Sequence, residues 1–334
     1  MKRQHFDEYL SQRFVLDGGT VSFGDEINEG WLVDRSDSSR RYPIARGIPR
    51  FVPESNYADN FGLQWNTFRT TQLDSVSGLS ITSDRFWTNT KWTRDELRGK
   101  RVLEVGSGAG RFTEILLGAG AHVVSFDYSI AADANFANNE SKGDLFLFQA
   151  SVYEIPLEPR SFDYVFCYGV LQHTPEPIRT YRCMFEMLRP GGRLSVDAYR
   201  KIPLSKIWPH AKYSWRPLTS RMNPKVLMAI VRAYMPFWLP IDTWIRHLPG
   251  GLGGTILWRL PIPCWNYVDQ FPLSKPDLLQ WAIMDTVDAL GARFDFPQTI
   301  ESMKSMIDGT AATDAEVFYG SNGIVVNLRR APQT

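Results

Sequence analysis

Between residues 101 and 199 the chain alternates short apolar runs with amphipathic ones, and that alternation restricts it to a parallel sheet covered by helices. Residues 101–106 (RVLEVG), 122–127 (HVVSFD), 144–150 (DLFLFQA), 162–169 (FDYVFCYG) and 192–199 (GRLSVDAY) read as strands. Three of the stretches between them, RFTEILLGAG, SIAADANFANNE and PIRTYRCMFEML, read as helices, with apolar residues three and four apart. Parallel neighbours need long crossovers, and helices supply them. Two later runs, AEVFYG at 315–320 and GIVVNLRR at 323–330, are separated only by Ser321 and Asn322, which predicts a closing hairpin. The expected fold is a doubly wound, Rossmann-like α/β domain with a mostly parallel, seven-stranded sheet.

With 334 residues, 43% of them hydrophobic, the chain can hold that domain and additions to it. Residues 1–54 read as a β-rich arm and 55–98 as a helical lid or linker. The main domain is expected over 99–199 and 273–334, with helices at 275–289 and 297–308. Residues 200–272 break the alternation and read as an inserted cap rich in Pro and Trp, with an amphipathic helix at 224–235. A net charge of +1 conceals an asymmetry: residues 200–265 hold ten Lys or Arg and a single acid, Asp242. The three cysteines, Cys167, Cys183 and Cys264, are odd in number and lack metal-site spacing, so neither a disulfide framework nor a bound metal is expected. The first residues lack an apolar signal core, and no stretch has the roughly 18–20 apolar residues that span a bilayer. A cytoplasmic protein is expected, with peripheral contact at the inner membrane face open to the basic insert.

The chemistry concentrates where the first strand of the alternation ends. Val102–Gly110 reads VLEVGSGAG, a strand that turns through Gly106, Ser107, Gly108 and Gly110 into a helix. Such a turn lets a ligand approach bare backbone at a helix start. A dinucleotide loop, G-x-G-x-x-G, would need a glycine at 111, which is Arg111 here and disfavours a nicotinamide dehydrogenase. Asp127, at the end of the next strand, can accept hydrogen bonds from ribose hydroxyls, and Tyr128 beside it offers a ring to a base. These residues point to a nucleoside without choosing among nucleoside cofactors.

The segments VLEVGSGAGRFT, SFDYS, SFDYVFCYGVLQHTPEP and MLRPGGRLSVDAY, in this order, resemble the class I S-adenosylmethionine-dependent methyltransferase superfamily. The resemblance implies S-adenosyl-L-methionine as cofactor. It implies that Glu104 helps hold the methionine amino group, often through water, that Gly106, Ser107, Gly108 and Gly110 pack against the methionine part, and that Asp127 holds the ribose. Many members carry an Asp after the third strand; Ser151 stands there, followed by Val152, and these two are candidates for the adenine contact. Tyr168 is a further candidate at the cofactor. The flanks YPIARGIPRFVP and YADNFGLQWNTFRTTQLDS are similar to bacterial methyltransferases associated with cell-surface glycan or secondary-metabolite biosynthesis. The first flank resembles a zinc-ribbon-like module, degenerate here because no cysteine precedes Cys167. In this group the Phe61–Trp65 region, and with it Phe61 and Trp65, lies over the cofactor as a lid.

Methyl transfer asks the protein mainly to align donor and acceptor and exclude water. A hydroxyl acceptor also wants a base. His173, after the fourth strand, is a candidate, with Tyr168, Tyr199 and Asp197 as others; the bland reading of His173 is a loop-closing residue. The expected acceptor is a small-molecule or glycan-like compound, methylated on oxygen, and the basic insert suits an anionic one. Alternatives are an RNA-modifying methyltransferase, although no RNA-binding signature accompanies the charge, and a non-catalytic nucleoside-binding protein that keeps the fold. The sequence leaves the oligomeric state open.

Overall fold

The computed structural model describes residues 1–18, 21, 22, 25–202 and 211–333. Lys206 and Trp208 of the basic insert lie outside the described residues. The chain opens with α1 (Arg3–His5), which continues into a single π turn at Phe6–Leu10. Six short strands follow: β1 (Phe14–Asp17), β2 (Val21–Ser22), β3 (Glu26–Ile27), β4 (Gly30–Asp34), β5 (Arg41–Ala45) and β6 (Ile48–Pro49). Four of them form an antiparallel sheet in the order β1-β4-β5-β6. The helical start is a departure from the β-rich reading of this stretch; it buries Phe6 and Leu10 in the main core.

Four helices make up the next stretch: α2 (Asp59–Thr67), α3 (Asp74–Ser77), α4 (Ile81–Thr90) and α5 (Arg94–Leu97). A capping box between Thr93 and Glu96 starts α5. The alternation then runs β7 (Arg101–Val105), α6 (Arg111–Gly118), β8 (His122–Asp127), α7 (Ala131–Asn139), β9 (Leu145–Gln149), β10 (Phe162–Cys167), α8 (Pro177–Met187) and β11 (Leu188–Ala198). Helix α8 stops at Met187, just before Arg189-Pro190-Gly191-Gly192, which forms the first part of β11. The register against β10 shifts between Phe162 and Tyr164, which accommodates it.

The insert contributes α9 (Ala211–Thr219), α10 (Pro224–Arg246) and α11 (Leu252–Arg259). The expected helix at 224–235 runs on through Pro236 and Pro240 to Arg246. Leu227, Val231, Met235, Leu239 and Ile245 are buried along one side of it, and this packing outweighs the two lost backbone hydrogen bonds. Then come α12 (Lys275–Gly291), α13 (Ile300–Ile307) and the hairpin β12 (Ala312–Gly320) and β13 (Gly323–Arg330).

The main sheet has seven strands in the order β12-β13-β11-β10-β7-β8-β9. Strands β7 to β11 pair in parallel, and β13 alone runs against its neighbours. All five residues of β9 and four of the five in β7 are buried, as strands covered on both faces require. The chain winds outward from β7 through β8 to β9, then returns to place β10 on the other side of β7. Ligands in such sheets bind beyond the carboxyl ends of the strands at this reversal.

At the β9 edge the arm continues the sheet. Phe51 N–H donates to the Gln149 carbonyl at 2.8 Å, and Arg46 and Arg50 both bond Asp133 on α7. Phe51 also packs edge-on to Phe148.

Candidate functional site

A cavity of about 1080 Å³ opens at the reversal between β7 and β10. Small-molecule sites span roughly 300–1,000 Å³, so there is room for two ligands. Its walls include the turn Gly106–Ala109, Asp127 and Tyr128 after β8, Val152, Tyr168–Val170 after β10, and Phe61, Gln64 and Trp65 from α2.

The glycine turn is shaped by what presses on it. Gly106, Gly108 and Gly110 all have positive φ, at 74°, 56° and 84°. A methyl group at Gly110 would lie 2.0 Å from Oδ1 of Asn135, and one at Gly108 would lie 3.0 Å from the Trp65 indole. Side chains are thus excluded by the fold itself as well as by any ligand.

Asp127 faces the same turn. Its Oδ2 accepts the Gly108 N–H at 2.9 Å, and its Oδ1 accepts from the backbone and hydroxyl of Ser129 at 2.8 and 2.7 Å. Burial pushes its pKa above the usual value, against the pull of these bonds. Oδ1 thus has both of its acceptor sites engaged, and Oδ2 keeps one for a further hydroxyl.

Glu104 sits one strand over, opposite Ser125. Its Oε2 accepts from the hydroxyls of Ser125, at 2.8 Å, and Thr113. Its Oε1 is buried without a protein partner, and burial raises the carboxyl to about 7. It lies behind the cavity wall. Among the other residues around the turn, the Ser107 hydroxyl and both polar atoms of the Gln64 amide are buried and unpartnered.

The remaining sequence candidates divide. Phe61 and Trp65 stand on the cavity wall, with Phe61 5.1 Å from the His173 ring. Tyr128 stacks on Tyr57 at 4.6 Å, which leaves its other face for a base. Val152 lines the cavity; the Ser151 hydroxyl is behind it and accepts the Tyr153 N–H at 3.2 Å.

Of the four candidates for a base, three are committed elsewhere. The Tyr168 hydroxyl is paired with Ser195 at 2.8 Å, and burial holds the phenol well above its usual pKa. Tyr199 donates to Asp288 at 3.4 Å, and burial likewise raises it. Asp197 accepts from Gly169 N–H and from Arg85, both at 2.5 Å. His173 differs. Its Nδ1 is 3.0 Å from the Phe294 carbonyl, an acceptor only, so Nδ1 carries the proton. Nε2 is left as a lone pair, buried and unpartnered, and burial lowers the pKa of the ring.

Three wall residues escaped the sequence reading. Gln64 falls between Phe61 and Trp65 at helical spacing, and its buried position was the available signal. Arg111, at the place of a third dinucleotide glycine, bonds Gln72 and lies 4.8 Å from the Phe112 ring centre; burial lowers it to about 10. Asp285 on α12 accepts from Tyr267 at 2.5 Å, and burial raises it to about 7. No cluster of metal-ligating side chains occurs among the described residues.

The dinucleotide order would set the sixth strand beside the fifth, all parallel. Here a reversed β13 is wedged between β11 and β12. With the turn from Gly106 and Asp127 at one cavity, this sheet has the strand order of class I S-adenosylmethionine-dependent methyltransferase domains. Residues 103–196 match the family model described as a methyltransferase domain. The ubiquinone biosynthesis O-methyltransferase of Xanthomonas euvesicatoria is 35% identical over 114 residues, covering 33% of this chain and 48% of that protein. The enzyme of the same name from Marinobacter nauticus is 33% identical over 117 residues, covering 34% and 49%. The chain thus spans about half the length of the curated relatives it matches. Among solved structures, an S-adenosylmethionine-dependent methyltransferase from Mesorhizobium loti overlays with a TM-score of 0.39 at 15% identity, covering 70% of this chain and 93% of that one.

The residues present fit S-adenosyl-L-methionine. Orphaned buried polar atoms of Glu104, Ser107 and Gln64 surround the turn where the charged amino-acid end would rest. Asp127 and Tyr128 stand where the nucleoside end would rest.

Proposed function

We propose that this chain methylates a hydroxyl oxygen of a small-molecule or glycan-like acceptor, with His173 as the base. The observation that carries the proposal is the buried, unpartnered Nε2 lone pair of His173, a cavity-wall residue whose tautomer is set by the Phe294 carbonyl. Bound S-adenosyl-L-methionine supplies an electrophilic methyl group. The chain's own residues do the rest. Glu104, Ser107 and Gln64 hold the amino-acid end, the turn 106–110 gives it bare backbone, and Asp127 takes the ribose. Phe61 and Trp65 cover the site and exclude water. His173 accepts the hydroxyl proton at Nε2, which sharpens the oxygen as a nucleophile.

The acceptor side is lined by Tyr199, Tyr213, Trp265, Tyr267 and Trp281, surfaces that suit a sugar or aryl ring. Two of the insert's cations line the cavity: Lys212 pairs with Asp295 at 2.9 Å, and Arg200 lies 4.8 Å from the Tyr319 ring centre. Recognition through the aromatic wall is therefore favoured over recognition through the insert's charge. The names of the O-methyltransferase relatives support oxygen as the methylated atom.

The test is to incubate the protein with methyl-labelled donor and a small-molecule extract of its host, then identify the labelled product. A new methoxy group is expected. A labelled nitrogen or carbon, or label confined to tRNA, would overturn the assignment.

A further inference from the structure

Helix α10 is apolar on two sides, and the fold uses only one of them. Val226, Ile230, Phe237, Ile241 and Trp244 are exposed, Phe237 at 76% and Trp244 at 66%. At 3.6 residues per turn these five positions fall within an arc of about 60°, about a third of a turn round from the middle of the buried side, and the stripe runs about 27 Å. Scattered exposed apolar residues are ordinary on a protein surface, but a continuous stripe of this length marks a surface that meets a partner.

The charge around the stripe selects the partner. From residue 211 to 262 the only acid is Asp242, which is buried and accepts from Arg246 and Asn266. Arg221, Lys225 and Arg259 are exposed on the same segment, Arg232 lies over the Phe68 ring on the inner side, and the exposed Asp269 is paired with His247 just beyond the helix. The surface is therefore apolar along its ridge, with cations in excess on the segment around it. A second copy of the chain would set these cations against their like, whereas an anionic surface complements them. No helix among the described residues is long and apolar enough to cross a membrane, and α10 is also bound on its inner side to α12. It can lie on a bilayer but not span one.

We propose that α10 docks this protein on an anionic lipid bilayer, with the stripe sunk into the boundary of the acyl chains and the bordering cations against the headgroups. The inference is independent of the methyl-transfer reading, because vesicle binding is read without turnover.

The experiment is co-sedimentation of the full chain with vesicles of pure phosphatidylcholine or of phosphatidylcholine with about 30% phosphatidylglycerol, in parallel with cofactor titration. Partition onto the anionic vesicles is expected to be at least about tenfold stronger, and to weaken as salt rises. Phe237→Ser with Trp244→Ser is expected to lower it about tenfold or more while leaving cofactor affinity unchanged. Should that variant not fold, Arg221→Glu with Lys225→Glu, both at exposed positions, is expected to abolish the preference for anionic vesicles. Equal partition onto both vesicle types, or none, overturns the proposal. So does a dimer in sedimentation equilibrium that Phe237→Ser with Trp244→Ser converts to monomer without any vesicle binding.

Discussion

The backbone N–H of Gly108 points at Oδ2 of Asp127, 2.9 Å away, so the glycine turn after β7 is tied to the tip of β8 before any ligand arrives. If the ribose binds as proposed, that carboxylate holds the turn and receives a ribose hydroxyl together.

Asp127→Asn keeps a carbonyl for the turn but loses the charge. Charge-assisted hydrogen bonds contribute about 1.5–3 kcal/mol, so cofactor affinity by isothermal titration should fall roughly 10- to 100-fold. An affinity within twofold of wild type would remove Asp127 from the cofactor site.

Glu104 makes a prediction about pH. Its folded pKa of about 7 is above the carboxyl's ordinary 4.5, because burial penalises the charge. The folded state therefore binds the proton more tightly than the unfolded chain. The fold loses stability as pH rises from about 4.5 to about 7, by roughly 3 kcal/mol for this group. Glu104→Gln removes that charge but leaves an amide N–H₂ without a partner at the Oε1 position. At pH 8 without cofactor it should gain about 1–2 kcal/mol in urea denaturation while binding cofactor more weakly. A variant less stable than wild type at pH 8 would contradict this account of the buried carboxylate.

For His173, Ala and Gln substitutions should both lower kcat by about 10²–10⁴-fold with cofactor affinity within about twofold of wild type. Because burial holds the imidazole below its ordinary pKa, the acid limb of the rate profile should fall below pH 6.5. The fold should also lose stability below that pH, since the unfolded chain takes up the proton first. A less than tenfold drop in kcat would return His173 to the role of a loop-closing residue.

Two glycines separate collision from backbone strain. Gly110 and Gly169 both have positive φ, at 84° and 76°, but a methyl group at Gly110 strikes Asn135 whereas one at Gly169 has nothing within 4 Å. Gly169→Ala should cost about 1–2 kcal/mol from the left-handed conformation alone. Gly110→Ala should exceed that by at least about 2 kcal/mol, or yield no folded protein. Equal costs in urea denaturation would mean that the neighbouring Asn135 and Asn139 simply move aside.

The sequence displays the sheet well because buried parallel strands leave continuous apolar runs, as RVLEV and LFLFQ do, and because turn glycines and Asp127 are local signals. It displays the insert poorly. Pro236 argues locally for the end of a helix, and only the contacts of Met235 and Leu239 with the core carry α10 past it. The site splits along the same line. The turn 106–110 is written in consecutive residues, whereas Gln64 and Asp285 line the cavity from positions 221 residues apart, and the Phe294 carbonyl meets His173 across 121 positions. The tautomer of His173 depends on one of those distant groups, so no local pattern around VLQHTP could have disclosed it.

The meeting of Phe51 with Gln149 has a practical corollary for anyone who trims this molecule. Strand β9 is the rim of a seven-stranded sheet, and the arm stitches over it like a hem. A fragment begun near residue 95 would retain every glycine of the turn and still present an open row of backbone donors and acceptors to its neighbours, which is how sheets come to grow from one molecule into the next.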